Sequence, residues 1–253
     1  MKMLTSQNVS LAGWKPALLI AAALVLSVTT RVQAGNDDRK SRDEAEVVRP
    51  NERYRGLTYA EWSAATMQWS MELPLAGHPA IDNPDFDVST GQSGDVWFLA
   101  GPFGTVKRTG TIPKDKALFI TIANAEASSL ELPPFYGATE AERRAQAKFF
   151  ADHIVPASLV FIVDGTPIRH LERYRVASPQ FEFMAPTPWL FGDIGGSGTS
   201  VGDGYYVMLE PLSRGQHTIH FEGWIHFDAG EVSEFGPDPL DLPINTTYHL
   251  RVK

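Results

Sequence analysis

The sequence predicts an all-β fold, a β-sandwich or jelly roll with two accessory helices. Nine short segments rich in β-branched and aromatic residues are separated by Gly, Pro and Asp, which is typical of strands and turns. Only two segments place apolar residues at helical spacing. Because helical segments do not alternate with strands, the pattern disfavours a parallel α/β sheet.

The order of elements follows from local signals. The first helix is expected to begin at Thr58, since Glu61 three residues later completes a capping box, and to end before Pro74. The second is expected over Thr139 to His153, with Glu142 in the same relation to Thr139. The predicted strands are Val96–Ala100, Val106–Ile112, Ala117–Ile122, Leu159–Val163, Ile168–Val176, Phe181–Met184, Tyr205–Leu209, Gln216–Phe227 and Thr246–Val252.

Residues 1–34 have the layout of a cleavable secretory signal peptide. Lys2 and Lys15 precede an apolar run, Ala17–Val28, which is too short to span a bilayer as a helix. Small residues before Gly35 then offer a cleavage site after Ala34. The sequence therefore predicts export, to the periplasm or the medium, and no transmembrane segment once the signal peptide is removed. An uncleaved N-terminal anchor is the alternative.

Residues 35–55 are mostly charged and almost free of large apolar side chains, so we expect a disordered linker. Residues 56–253 are then expected to form a single β-sandwich domain. The two tryptophans of the first predicted helix, Trp62 and Trp69, are expected to pack onto a sheet rather than to bind a ligand.

Composition excludes several classes of partner and chemistry. Without residues 1–34 the chain carries 19 basic and 30 acidic residues, a net charge of −11. An acidic surface of this size argues against binding to nucleic acid or to an anionic membrane. The chain contains no cysteine, which excludes disulfides, thiolate metal sites and a cysteine nucleophile.

The segment from Gly215 to Phe227 carries the strongest candidate site. In a strand, Ile219, Phe221 and their alternate neighbours form an apolar face, and His220, Glu222 and Trp224 share the other. An imidazole and a carboxylate two residues apart could bind one divalent ion or transfer a proton. His226 is too far along a straight strand to join them. The alternative is that this face is the solvated side of an antiparallel strand.

Further ligands for a metal at His220 and Glu222 would have to come from other strands. The candidates are His170, Glu172, Glu182 and His249. A separate acidic loop contains Asp82, Asp85 and Asp87, whose carboxylates could bind calcium. Ordinary turn chemistry is the alternative reading of that loop.

Two segments could contact a flat ligand or carry out hydrolysis. Residues 191–204 are glycine-rich without the pattern of a phosphate-binding loop, so we expect a flexible lid or rim loop. Just ahead of it, Trp189 is the best candidate for an exposed aromatic that stacks on a sugar, with burial as the alternative. Glu126 and Glu182 could belong to a pair of catalytic carboxylates.

Three sequence segments resemble those of a group of secreted bacterial proteins to which no activity is assigned. They are GQSGDVWFLAG at 91–101, IPKDKALFITIAN at 112–124 and GDGYYVMLEPLSRGQHTIHFEG at 202–223. The resemblance runs from about Gly56 to the C-terminus. It implies that members often carry cysteines near Gly110 and Ala127, which this chain lacks.

Three functions are compatible with these observations. The preferred one is a secreted or periplasmic protein that binds an extracellular glycan or a small ligand, with Trp189 and Trp224 as contacts. The second is a jelly-roll enzyme, with or without a divalent metal, that uses His220 and Glu222. The third is a structural module of the cell envelope.

Overall fold

Eleven strands in two sheets and two α-helices make up the part of the chain, residues 45–81 and 86–253, that the computed structural model describes. The helices are α1 (Tyr59–Glu72) and α2 (Glu140–Asp152). The strands are β1 (Val47–Val48), β2 (Val96–Leu99), β3 (Gly104–Ile112), β4 (Ala117–Ser128), β5 (Val160–Val163), β6 (Thr166–Pro167), β7 (Arg175–Ala177), β8 (Phe181–Ala185), β9 (Gly196–Leu209), β10 (Gly215–Phe227) and β11 (Leu240–Val252). The predicted fold class, all-β and sandwich-like with two accessory helices, is confirmed.

The first sheet has the order β1-β9-β4-β2, and β7 and β8 also pair with β9. The second sheet has the order β3-β11-β10-β5-β6. Most pairs are antiparallel, whereas β2 with β4 and β3 with β11 are parallel. One apolar core contains buried side chains of both sheets, among them Phe119 and Tyr206 of the first and Phe221 and Tyr248 of the second.

Both helices begin where the capping pattern predicts. Thr58 and Thr139 cap α1 and α2, and each forms a complete capping box with the glutamate three residues later. In α1, Trp62 and Trp69 pack against Phe98 of β2, at ring-centroid distances of 6.3 and 5.6 Å. No helix within the described residues is both long and apolar enough to cross a membrane.

β4 is buried along almost its whole length because elements cover it on both faces. On one side Phe119 contacts Tyr59 of α1, and on the other α2 and β10 pack against the strand. A bulge between Thr121 and Ala123 shifts the alternation of side chains. Asn124, beyond the bulge, therefore points to the same side as Phe119 and bonds Met67 of α1.

The predicted linker and one predicted strand differ from the structure. Val47–Val48, inside the predicted disordered linker, pairs with Leu209 and Met208 and completes an edge of the first sheet. The predicted strand Ile168–Val176 is wrong, because His170 has a left-handed backbone with φ of 62° that breaks the extended chain, and a 3₁₀ turn follows. Residues 1–44, which include the predicted signal peptide and part of the predicted linker, lie outside the described residues.

The glycine-rich segment predicted as a lid is largely strand, since β9 begins at Gly196. Two of its glycines leave room for side chains of the neighbouring strands, which pack directly against the β9 backbone. At Gly198 an added Cβ would come within 2.6 Å of the Phe183 ring. At Gly204 it would come within 2.5 Å of Asn124. Glycine is required in this strand for close packing rather than for flexibility.

Candidate functional site

A cavity of about 410 Å³ lies beside the second half of β4. It is bounded by α1, by both strands of the β10–β11 hairpin and by the loops that follow β2 and β8. Most of its wall is apolar and includes Met67, Phe150, Ile225, Phe227 and Ile244. This volume is within the range of small-molecule sites in proteins.

The cavity exists because β4 loses a neighbour halfway along. β2 pairs only with Ala117–Ile120, and β4 continues to Ser128. Six consecutive residues of β4, Thr121 to Glu126, line the cavity. Because side chains alternate along a strand, six consecutive lining residues mean that the unpaired edge of β4 faces the cavity. Phe103 and Phe191 also line the cavity and are 55% and 41% exposed, which places them at its rim.

Two buried carboxyl groups, Glu126 and Glu131, meet at the wall of the cavity. Glu126 lies on β4, two residues beyond Asn124 and on the same side of the strand. Glu131 follows in the turn after β4, where its backbone N–H and that of Leu130 donate to Ser128 Oγ at 3.1 and 3.2 Å. The two glutamates are only 6% and 5% exposed.

The pair is arranged to share a proton. Ser200 Oγ of β9 donates to Glu126 Oε2 at 3.0 Å, and the carboxyl groups of Glu126 and Glu131 are hydrogen-bonded to each other. Glu131 Oε2 is buried and has no hydrogen-bond partner among the described residues.

Burial raises the pKa of both carboxyls, because the apolar surroundings disfavour the charged form. The pKa of Glu131 is raised further by the negative charge of Glu126, whereas the hydrogen bonds from Glu131 and Ser200 lower that of Glu126. Two carboxyl groups that share one buried, apolar site cannot both ionise, because their negative charges repel each other. The pair therefore holds at least one proton at neutral pH.

The candidate site on β10 shows the alternation of buried and outward-facing side chains that the sequence predicts. Ile219, Phe221, Ile225 and Phe227 are buried, and the alternate residues, His220 to His226 in steps of two, point outward. His220 Nε2 lies 3.0 Å from Glu222 Oε1, and its Nδ1 lies 2.9 Å from Thr247 Oγ1 of β11. Asn245 Nδ2 donates to the same Glu222 oxygen at 3.0 Å.

These contacts join side chains directly opposite or adjacent on the β10–β11 ladder. Among the residues that the structure describes, no cluster of three or more His, Asp or Glu side chains is placed to hold a metal. His249 lies instead near Thr218, with Nδ1 3.4 Å from Oγ1, and His170 near Glu172 at 3.3 Å. Within the described residues, His220 and Glu222 therefore belong to a row of hydrogen-bonded side chains on two paired strands.

The two tryptophans proposed as ligand contacts have opposite environments. Trp224 is 45% exposed on the outward face of β10. Trp189 is only 2% exposed, stacked on Phe183 with ring centroids 5.7 Å apart and set edge-on to Phe191. The prediction of an exposed stacking surface at Trp189 is therefore wrong, since this indole belongs to a small core beneath the β8–β9 pair.

The proposed calcium loop is only partly visible. Asp82 and Asp85 lie outside the described residues, and Asp87 Oδ1 accepts a hydrogen bond from Ser89 N at 2.9 Å, as in an ordinary Asx turn. Glu182 is exposed on β8, away from the cavity. Of the two glutamates suggested as a catalytic pair, only Glu126 lines the cavity, and its partner is Glu131.

Glu131 was not among the residues that the sequence indicated. It lies in a Ser-Ser-Leu-Glu turn that resembles any solvated loop. The one available signal was Glu126 itself, an acidic residue within a strand that is otherwise apolar or small. Comparison with known proteins adds no assignment, because no family model, curated protein or solved structure matches the chain.

Proposed function

We propose that the protein binds a small, mainly apolar ligand in the cavity beside β4. The observation that carries the proposal is the combination, in a cavity of about 410 Å³, of a mainly apolar wall with one buried acid pair, Glu126 and Glu131. Small-molecule sites generally have this composition, since apolar area provides affinity and a few polar groups fix orientation.

A glycan fits this site less well than an apolar molecule. Each sugar ring carries several hydroxyls, and every hydroxyl buried without a partner costs about 1–3 kcal/mol. The wall offers few polar side chains to satisfy them. Trp189, the indole expected to stack on a sugar, is buried in its own cluster. We therefore narrow the ligand to a molecule with a large apolar part.

As part of the same proposal, we infer that this activity lies outside the cytoplasm, in the periplasm or the medium. The signal-peptide pattern of the sequence supports this location. A periplasmic or extracellular protein that encloses an apolar molecule would carry or sequester a compound that is poorly soluble in water.

Binding can be tested with N-phenylnaphthylamine, an uncharged dye whose fluorescence rises in apolar surroundings. We expect saturable binding to the wild-type protein. Ser70→Phe should abolish it, because Ser70 lines the cavity and an added ring would fill the space. Gln68→Phe is the matched control, since Gln68 is exposed on the same helix and does not line the cavity. Equal dye binding by both variants would contradict the proposal.

A second candidate function is hydrolysis at the outward face of β10. Thr247, His220 and Glu222 form a chain of hydroxyl, imidazole and carboxylate, the order in which a nucleophile, a base and an orienting acid occur in hydrolases. His220→Ala should then abolish turnover of an ester substrate such as p-nitrophenyl acetate while changing the melting temperature little. Unchanged turnover in this variant would reject the candidate.

A further inference from the structure

The cavity has a charge asymmetry that selects among apolar ligands. Its only ionisable lining residues within the described part of the chain are Glu126 and Glu131. No lysine, arginine or histidine side chain of the described residues lines it. The site can therefore become negative by losing a proton, but no lining side chain can become positive.

Within the described residues, the acid pair has no positive charge beside it on the wall of the cavity. Glu126 and Glu131 both line the cavity and are 6% and 5% exposed, so they lie in apolar surroundings. A hydrogen-bond donor or a positive charge on a ligand would stabilise a carboxylate there. The geometry thus favours a ligand group with N–H donors at this point.

We propose that the ligand is an apolar primary amine, bound as its ammonium ion with the nitrogen against Glu126 and Glu131 and its hydrocarbon part along the wall of the cavity. This inference rests on the proposed function. An ammonium group supplies three donors and a positive charge. On binding, the acid pair releases one proton to solvent and the ammonium ion takes over the neutralisation of the carboxylate.

Alcohols and carboxylates of the same size satisfy the site less well. A hydroxyl group offers one donor and no charge, so its hydrogen bond to the pair is weaker than a charge-assisted one. A carboxylate adds a negative charge beside two acidic groups, and must itself bind a proton before it enters. The expected order of affinity is amine, then alcohol, then carboxylate.

Proton release makes the affinity for an amine depend on pH. Of the groups facing the pair, Ser128 and Ser200 do not titrate near neutral pH, and burial raises the pKa of Tyr206 of β9 further. The affinity for an amine should therefore rise between about pH 5 and about pH 8 as the pair gives up its proton more readily.

The test is competition against N-phenylnaphthylamine by octylamine, octanol and octanoate, using the full mature protein at neutral pH. Octylamine should compete at least about tenfold more strongly than the other two, the ratio expected for one charged hydrogen bond. Glu126→Gln/Glu131→Gln should remove that advantage and leave the octanol value unchanged. Glu182→Gln, the same chemical change on an exposed strand residue, should retain it.

Two other outcomes separate the inference from the proposed function. If octanol or octanoate competes as strongly as octylamine, the amine assignment is wrong and the cavity remains a binding site. If the dye does not bind, or if none of the three compounds displaces it, the proposed function fails and the amine assignment fails with it.

Discussion

Replacing Glu126 and Glu131 together with glutamine is expected to flatten the pH dependence of stability. In the unfolded chain both carboxyls ionise near the ordinary glutamate pKa of 4.5. Burial raises both values in the folded protein, so above that pH the folded state binds more protons than the unfolded state. The contribution of the pair is fully present below pH 4.5 and is lost as the pH rises through the raised folded values.

The size of the effect follows from the number of protons retained. Each retained proton costs about 1.4 kcal/mol of unfolding free energy per pH unit. One proton held by the pair from about pH 5 to about pH 8 therefore lowers the stability by about 4 kcal/mol. Glutamine keeps the shape and hydrogen-bonding groups of a protonated glutamate and does not titrate, so the double variant lacks this slope.

Urea unfolding followed by tryptophan fluorescence, at several pH values in this range, measures the effect. The quantity to compare is the wild-type free energy of unfolding minus that of Glu126→Gln/Glu131→Gln, because titration of the histidines is common to both proteins and cancels. Glu182→Gln should follow the wild type, since Glu182 is exposed on β8. If the wild-type and double-variant curves run parallel from about pH 5 to about pH 8, the reasoning about the acid pair is refuted.

Two further predictions concern export and the core. Intact-mass analysis of the exported protein should give a chain that begins at Gly35, whereas a mass that still includes the apolar run Ala17–Val28 would contradict the signal-peptide assignment. Trp189→Ala should lower the free energy of unfolding by about 3–5 kcal/mol, because the indole is buried between Phe183 and Phe191. Trp224→Ala, at an exposed position, should change it by about 0.5 kcal/mol or less; equal losses in the two variants would contradict the burial of Trp189.

Local signals in the sequence were enough to predict most of the elements. Capping boxes at Thr58 and Thr139 located both helices because their hydrogen bonds involve residues only three apart. Strict alternation in β10 predicted which side chains are buried, since one face of that strand meets the core and the other meets solvent. Both signals depend on near neighbours alone.

Features that depend on distant packing were not predictable. The glycines of β9 resemble a loop until Phe183 and Asn124 are seen to lie against them. The bulge in β4 resets the alternation, so the side chain of Glu126 could not be assigned to a face from sequence. Glu131 reaches the cavity only through the turn held by Ser128. The acid pair therefore became visible only in the folded protein.

Methyl NMR of methionine tests the central claim, that an apolar ligand occupies the cavity beside β4, most directly. With ¹³C-methyl methionine in the protein, octylamine should shift the Met67 signal in a saturable manner, because Met67 lines the cavity. Met71, buried in another cluster, and Met184, 60% exposed, should not shift. A Met67 signal that stays unchanged at saturating octylamine, octanol and N-phenylnaphthylamine would contradict the claim.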